Sequence, residues 1–183
     1  GFGEAAHSAG YSYESFALPS DFMGGAITQD GQTVTSLDVD RYGNVVLGGL
    51  RIKIGDIIAA PYSSGTPSEG GNSTGSGEIW HDFNAATNTI TITWDDVRKP
   101  WYYYDYAAGA IQVEIRILGN DSYDIVLRYE DVAWTTSNQA PLIGVDGVYA
   151  AFSLPAGGFA NLDTAAGNTG VAGVYAAQIR GGV

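Results

Sequence analysis

Ionisable side chains that could perform acid–base or nucleophilic chemistry are few and poorly grouped in this sequence. The adjacent acidic pairs are Asp95-Asp96 and Glu130-Asp131, and neighbours on a strand point to opposite faces unless a bulge intervenes. His81 is followed by an aspartate that could orient its ring, but no Gly-x-Ser-x-Gly nucleophile motif accompanies it. We therefore predict a non-catalytic protein, with a carboxylate-dependent hydrolase as the less favoured alternative.

A calcium site is the best small-ligand candidate. The stretch DVDRYGN places Asp38 and Asp40 on one strand face and Asn44 in the turn that follows. Carboxylate and amide oxygens are the ligands that Ca²⁺ prefers, but Tyr42 and Gly49 depart from the spacing of an EF-hand loop. The alternative is a solvated strand that leads into a turn. We predict no obligatory cofactor and keep calcium at Asp38, Asp40 and Asn44 as a hypothesis.

An aromatic run is the strongest candidate for a binding surface. It consists of Trp101, Tyr102, Tyr103, Tyr104 and Tyr106. In a loop, these rings cannot all enter a core, and exposed Trp and Tyr side chains typically contact proteins or glycans. The alternative is a strand extension in which one face of the run is packed. The run thus indicates a protein interface first and a glycan-binding module second.

Composition excludes several classes of partner. The chain has 183 residues, a net charge of −12 and only 8 Lys and Arg residues. Nucleic acid and anionic membranes are held by clustered basic side chains, so neither is an expected partner. There is no cysteine, which rules out a disulfide framework. The abundance of Gly, Ser, Thr and Tyr together with few charges favours an exported, all-β protein.

Alternation of apolar and polar residues predicts the elements that must position these groups. Four segments have a strict period of two, which is typical of half-buried antiparallel strands. The residues predicted to face the core are Leu50, Ile52 and Ile54; Ile90, Ile92 and Trp94; Ile111, Val113, Ile115 and Ile117; and Tyr123, Ile125, Leu127 and Tyr129. Hairpin turns are predicted at Arg41–Asn44 and Gly119–Ser122, and one short helix near Ala156–Ala166. The pattern predicts an antiparallel β-sandwich with long loops.

The domain organisation predicted is one globular domain. Residues 1–35 form an N-terminal arm with the first strand or strands, and residues 36–183 form the main β domain. A Gly/Ser-rich stretch, Ser63–Gly77, predicts a long loop. We see no internal repeat and no second domain boundary. We also expect the arm, Gly1–Gly10, and the C-terminal strand to pack on neighbouring subunits by strand addition.

Three blocks of sequence resemble the nidogen-like extracellular domain in its bacterial form. They are TITWDDV at Thr91–Val97, the long block from Ala108 to Ser137, and NTGVAGVYAAQIRGG at Asn168–Gly182. The family's Asn-x-Phe-Gln strand is here Gly109-Ala110-Ile111-Gln112. The resemblance implies a secreted or cell-surface β module that serves structural and adhesive roles in matrix proteins. Its expected partners are other protein subunits, including copies of itself in a matrix or filament.

Overall fold

The structure, a computed structural model, describes residues 5–8, 14–22, 27–29, 32–55, 57–59, 78–98, 109–119, 121–130, 132 and 139–181. Its strands are β1 (Ala5–Ser8), β2 (Glu14–Ala17), β3 (Ile27–Gln29), β4 (Gln32–Val34), β5 (Ser36–Val39), β6 (Asn44–Leu47), β7 (Leu50–Lys53), β8 (Ile58–Ala59), β9 (Glu78–Asn84), β10 (Thr89–Arg98), β11 (Gly109–Gly119), β12 (Ser122–Glu130), β13 (Leu142–Val145), β14 (Val148–Ala151) and β15 (Val174–Ile179). A 3-10 helix covers Gly158–Asn161.

The strands form two antiparallel sheets that pack face to face. Sheet A has the order β1-β9-β10-β11-β12-β15, with β8 also pairing with β10. Sheet B has the order β14-β13-β7-β6-β5-β2, and β3 and β4 form a separate pair. The predicted all-β sandwich is confirmed. The short helix predicted near Ala156–Ala166 is a single 3-10 turn.

The core lies between the sheets and is built by the alternation that the sequence displays. Every residue predicted above to face the core is buried. Removing one such side chain from water contributes about 1.5–3 kcal/mol, so the inward faces of the central strands supply the main driving force for folding. The sequence did not indicate the contribution of Phe159 and Leu162, which extend this core from the 3-10 region.

Two buried hydrogen bonds join the sheets directly. The indole Nε1 of Trp94, in sheet A, donates to the backbone oxygen of Asp40 at the end of β5, at 2.8 Å. The hydroxyl of Tyr129 on β12 donates to the backbone oxygen of Ile54, just after β7, at 2.8 Å. The Ile54 oxygen thereby gains a buried partner, and the Asp40 oxygen accepts Trp94 in addition to the Gly43 N–H at 3.3 Å.

Tight turns set the registers of the hairpins. The turns predicted at Arg41–Asn44 and Gly119–Ser122 are confirmed, since they join β5 to β6 and β11 to β12. A further hairpin, β13–β14, is closed by Asp146 and Gly147, whose φ angles are 51° and 85°. Two successive left-handed residues define a type I′ turn, for which Asp-Gly is a preferred sequence.

Candidate functional site

The turn after β5 uses the carboxylate of Asp40 to order its own backbone. Oδ1 accepts the backbone N–H groups of Tyr42 and Asn44, both at 2.9 Å, and Oδ2 accepts the side-chain amide of Asn44 at 2.7 Å. Asp40 is only 5% exposed. An aspartate that caps a turn in this way replaces missing backbone partners. These bonds occupy the same oxygens that a cation would need.

Asp38 lies on β5, half-buried, opposite Val46 and Ser15 in the sheet. Among the residues that the structure describes, no three His, Cys, Asp or Glu side chains group together as metal ligands. Calcium at Asp38, Asp40 and Asn44 stays a prediction. The geometry of Asp40 and Asn44 is accounted for by the turn alone.

The acidic pair Asp95-Asp96 lies at a β-bulge. The pairing of β10 with β11 slips between Trp94 and Val97, so the strand carries an extra residue there. Asp95 is fully buried at this bulge, next to the buried Trp94. The side chain of Asp96 is outside the described residues. The bulge is also where β10 changes partner from β9 to β8.

His81 lies on β9 between β1 and β10 and packs among aromatic rings. Its ring stacks on Phe16 of β2 at 4.3 Å between centroids and lies 5.1 Å from Phe83. The ring thus bridges the two sheets near their N-terminal strands. This packing gives His81 a structural role that needs no catalytic partner.

The aromatic run at 101–106 and the acidic residue Asp131 lie outside the described residues. The strands that flank the run are β10, ending at Arg98, and β11, beginning at Gly109. The interface or glycan role assigned to Trp101, Tyr102, Tyr103, Tyr104 and Tyr106 therefore stays a prediction. The two strands proposed to pack on neighbours pair inside the chain, β1 with β9 and β15 with β12.

Strand β14 presents the most exposed apolar surface among the described residues. All four of its residues are exposed, with Val148 at 74% and Tyr149 at 52%. The strand pairs with β13 on one side and forms the edge of sheet B. The Tyr149 ring lies across Gly144 on the neighbouring strand, where an added Cβ would come within 2.5 Å of the ring. Exposed edges of this kind are templates for pairing with another chain.

Strand β15 carries the same pentapeptide as the β14 hairpin but has a different environment. Gly-Val-Tyr-Ala-Ala occurs at residues 147–151 and again at 173–177. Tyr175 is 4% exposed, and its ring makes edge-on contacts with Tyr129 at 5.8 Å and Phe152 at 6.3 Å. Burial raises the pKa of Tyr175, and the nearby carboxylate of Asp163 adds to the rise.

The outer edge of β15 is capped by a side chain. The Asn168 amide donates to the Ala176 oxygen at 2.6 Å, and its oxygen accepts the Ala176 N–H at 2.9 Å. Thr169 Oγ1 adds a bond to the Val174 oxygen at 2.7 Å. Asn168 thereby makes both bonds that a neighbouring strand would make with Ala176.

A cleft of about 530 Å³ opens between the two edge strands. Ala151, Phe152 and Ser153 line it on the β14 side, and Asn168 and Tyr175 on the β15 side. The flank of the sandwich formed by β14 and β15 is therefore incompletely filled.

Deeper in the core, burial raises the pKa of Tyr129 well above its ordinary value, and Tyr175 adds to this effect.

This flank was not predicted from the sequence, although two signals in the chain point to it. The repeat of Gly-Val-Tyr-Ala-Ala is short and departs from the expectation of no internal repeat. The Asp146-Gly147 dipeptide between apolar runs is a strong hairpin signal that we did not use. Together they would have indicated a hairpin whose second strand resembles the last strand of the chain.

Comparison with known proteins gives no match to a family model, to a curated protein or to a solved structure. The described residues also contain no helix long and apolar enough to cross a membrane. The nidogen-like resemblance therefore rests on the sequence motifs alone.

Proposed function

We propose that this protein is a non-catalytic structural or adhesive module of the extracellular space that acts through protein–protein contacts. In this role it associates with other subunits, including copies of itself, in a matrix or filament at the cell surface. The resemblance to nidogen-like domains and the low proportion of charged residues both favour this role.

The observation that carries the proposal is the exposed edge strand β14. Val148 and Tyr149 expose 74% and 52% of their surfaces, and both lie on an edge strand that has no charged residue and pairs on one side only among the described residues. Soluble proteins usually protect such edges with charge, proline or a covering segment. In the described part of the chain β14 has none of these devices, and such an edge is suited to contact with another protein.

Sedimentation velocity over a wide range of protein concentration tests the proposal, with electron microscopy of the same samples. The chain is expected to associate reversibly, so its average sedimentation coefficient rises with concentration. Val148→Lys should weaken this association, because it places a solvated charge on the edge strand. Leu118→Lys is the matched control, since Leu118 is 43% exposed on β11, away from this flank.

Two outcomes would count against the proposal. A protein that remains monomeric at every concentration, with single particles in micrographs, would contradict self-association. Specific retention on a glycan array by such a monomer would favour the glycan-binding alternative instead.

A further inference from the structure

We infer that the occupant of the open β14 edge is β14 of a second copy, paired antiparallel about a two-fold axis through Ala150. The inference rests on the proposed role in protein–protein association and names the partner and the register. The pairing would join the two six-stranded B sheets into one continuous sheet.

The backbone of β14 has groups ready for this pairing. In the β13–β14 hairpin, Val145 is opposite Val148 next to the two-residue turn, and Phe152 N donates to Pro141 O at 3.0 Å. Antiparallel ladders alternate, so Val148 and Ala150 direct their N–H and C=O groups toward β13. Tyr149 and Ala151 direct theirs outward, and neither has a hydrogen-bond partner within the described part of the chain.

The outward groups select one register. If Tyr149 of each copy pairs with Ala151 of the other, both outward residues of each strand take part in the ladder. If Tyr149 paired with Tyr149, or Ala151 with Ala151, only one of the two outward-facing residues of each strand would form hydrogen bonds with the other copy's outward-facing residues. The favoured register places Ala150 opposite its own copy, at a non-hydrogen-bonded position where small side chains approach closely.

The cross-strand side-chain pairs also favour this register. Val148 of one copy would lie opposite Phe152 of the other, which forms an apolar cross-strand pair. Phe152 lines the cleft next to Tyr175, and Val148 lies on the same face of the chain because side chains alternate along a strand. The pairing would therefore extend the apolar core of each subunit across the flank.

Charge supports a second copy as the occupant. The chain has a net charge of −12, so most faces of two copies repel each other. The segment 139–162 contains a single residue that is charged at neutral pH, Asp146. In the proposed register Asp146 is opposite Leu154 of the other copy. The two Asp146 carboxylates are then eight residues apart along the ladder, roughly 27 Å, which exceeds the screening length at physiological salt.

Cysteine cross-linking tests the register directly, because the chain has no cysteine of its own. In the proposed dimer the Cα atoms of two Ala150→Cys residues lie about 4.5 Å apart, which is within disulfide reach. Two Val148→Cys residues would lie roughly 13 Å apart and cannot be bridged. Mild oxidation at concentrations where the unmodified chain associates should therefore give a covalent dimer for Ala150→Cys and none for Val148→Cys.

A backbone variant provides a second readout. Ala151→Pro removes an outward N–H but no bond to β13, so the hairpin should survive, as circular dichroism would verify. It should raise the dissociation constant of the dimer about tenfold or more. Ala151→Ser, which keeps the N–H, is the matched control and should leave the dissociation constant close to that of the unmodified chain.

The outcomes separate this inference from the proposed function. If the unmodified chain associates but Ala150→Cys does not cross-link, or Val148→Cys does so instead, the two-fold register is wrong and the general role survives. If Ala151→Pro associates as well as Ala151→Ser, β14 is not the interface. If the unmodified chain never associates, both the register and the proposed role fail.

Discussion

The two copies of Gly-Val-Tyr-Ala-Ala are the same pentapeptide at the edges of two packed sheets, yet one is open and one is closed. In β14 the tyrosine is 52% exposed and the outward backbone groups are unpaired within the described residues. In β15 the tyrosine is buried and the outward groups bond to Asn168 and Thr169. The pentapeptide itself is thus compatible with either environment, and its neighbours decide which one it adopts.

The residues that follow the pentapeptide set the phase of its side chains. Within β15, after the pentapeptide, Ile179 is in phase with Tyr175, and both side chains are buried. After β14, Phe152 is in phase with Val148 and Ala150, which leaves Tyr149 on the opposite face. Because side chains alternate with a period of two, the next large apolar residue fixes which half of the pentapeptide faces inward.

The largest expected difference lies between the two tyrosines. Tyr175→Ala should lower the free energy of unfolding by about 3–5 kcal/mol, since it leaves a cavity beside Tyr129 and Phe152. Tyr149→Ala should lower it by about 1 kcal/mol or less, because half of that ring is already in water. Urea denaturation of both variants measures the contrast. Equal losses would mean that the two strands do not differ in burial as described.

The glycines that begin each pentapeptide give the next contrast. Both have positive φ angles, 85° at Gly147 and 75° at Gly173. A Cβ at Gly173 would lie 2.6 Å from the backbone oxygen of Tyr129, whereas a Cβ at Gly147 would meet no atom of the described residues within 4 Å. Gly173→Ala should therefore cost about 2–4 kcal/mol of stability and Gly147→Ala about 1–2 kcal/mol. A larger fall in melting temperature for Gly147→Ala than for Gly173→Ala would contradict the closer packing around Gly173.

Removal of the cap from β15 should have a smaller effect on stability and a qualitative effect on association. Asn168→Ala removes two hydrogen bonds to Ala176 and should cost about 1–2 kcal/mol. It also opens a second edge on each subunit, so light scattering should report larger assemblies than those of the unmodified chain. Thr169→Val, which removes the bond to Val174 and the local bonds with Val171 but keeps both bonds to Ala176, is the control and should change assembly size less.

Removal of the Tyr175 hydroxyl should have the smallest effect on stability at neutral pH. It has no hydrogen-bond partner among the described residues, so Tyr175→Phe should leave stability unchanged or raise it by up to about 1 kcal/mol. Tyr129→Phe, which loses the bond to Ile54, should instead cost about 1–2 kcal/mol. Denaturation of the two variants at pH 7 distinguishes the ring from the hydroxyl as the source of stability.

The same two tyrosines should make the stability of the protein depend on pH. Burial raises the pKa values of Tyr129 and Tyr175 in the folded state. Each contributes stability that is complete below the unfolded value of about 10 and is lost as pH rises further, because the unfolded chain then releases its protons first. Stability should fall above pH 10, and less steeply in Tyr175→Phe. An identical fall in that variant would show that the Tyr175 hydroxyl does not titrate differently on unfolding.

The sequence predicts the central strands well and the edges poorly, for a physical reason. Residues such as Ile115 and Leu127 are fixed by a period of two that is visible in the chain itself. The cap on β15 depends on Asn168 meeting Ala176 across a turn, which alternation does not encode. The exposure of the β14 edge depends on whether another segment packs beside it, which the sequence of the strand does not show. The bulge at Asp95 and the carboxylate bonds of Asp40 likewise follow from tertiary geometry rather than local pattern.

Amide hydrogen exchange as a function of protein concentration would show whether β14 is open and pairs with a second copy, because it reports on each edge strand separately. In dilute solution the Tyr149 and Ala151 amides should exchange freely, while the Ala176 amide, bound to Asn168, should be protected. At high concentration Tyr149 and Ala151 should gain protection and Ala176 should not change. Protection of Tyr149 and Ala151 that is already present in dilute solution, or that does not respond to concentration, would contradict an open edge that pairs with a second copy.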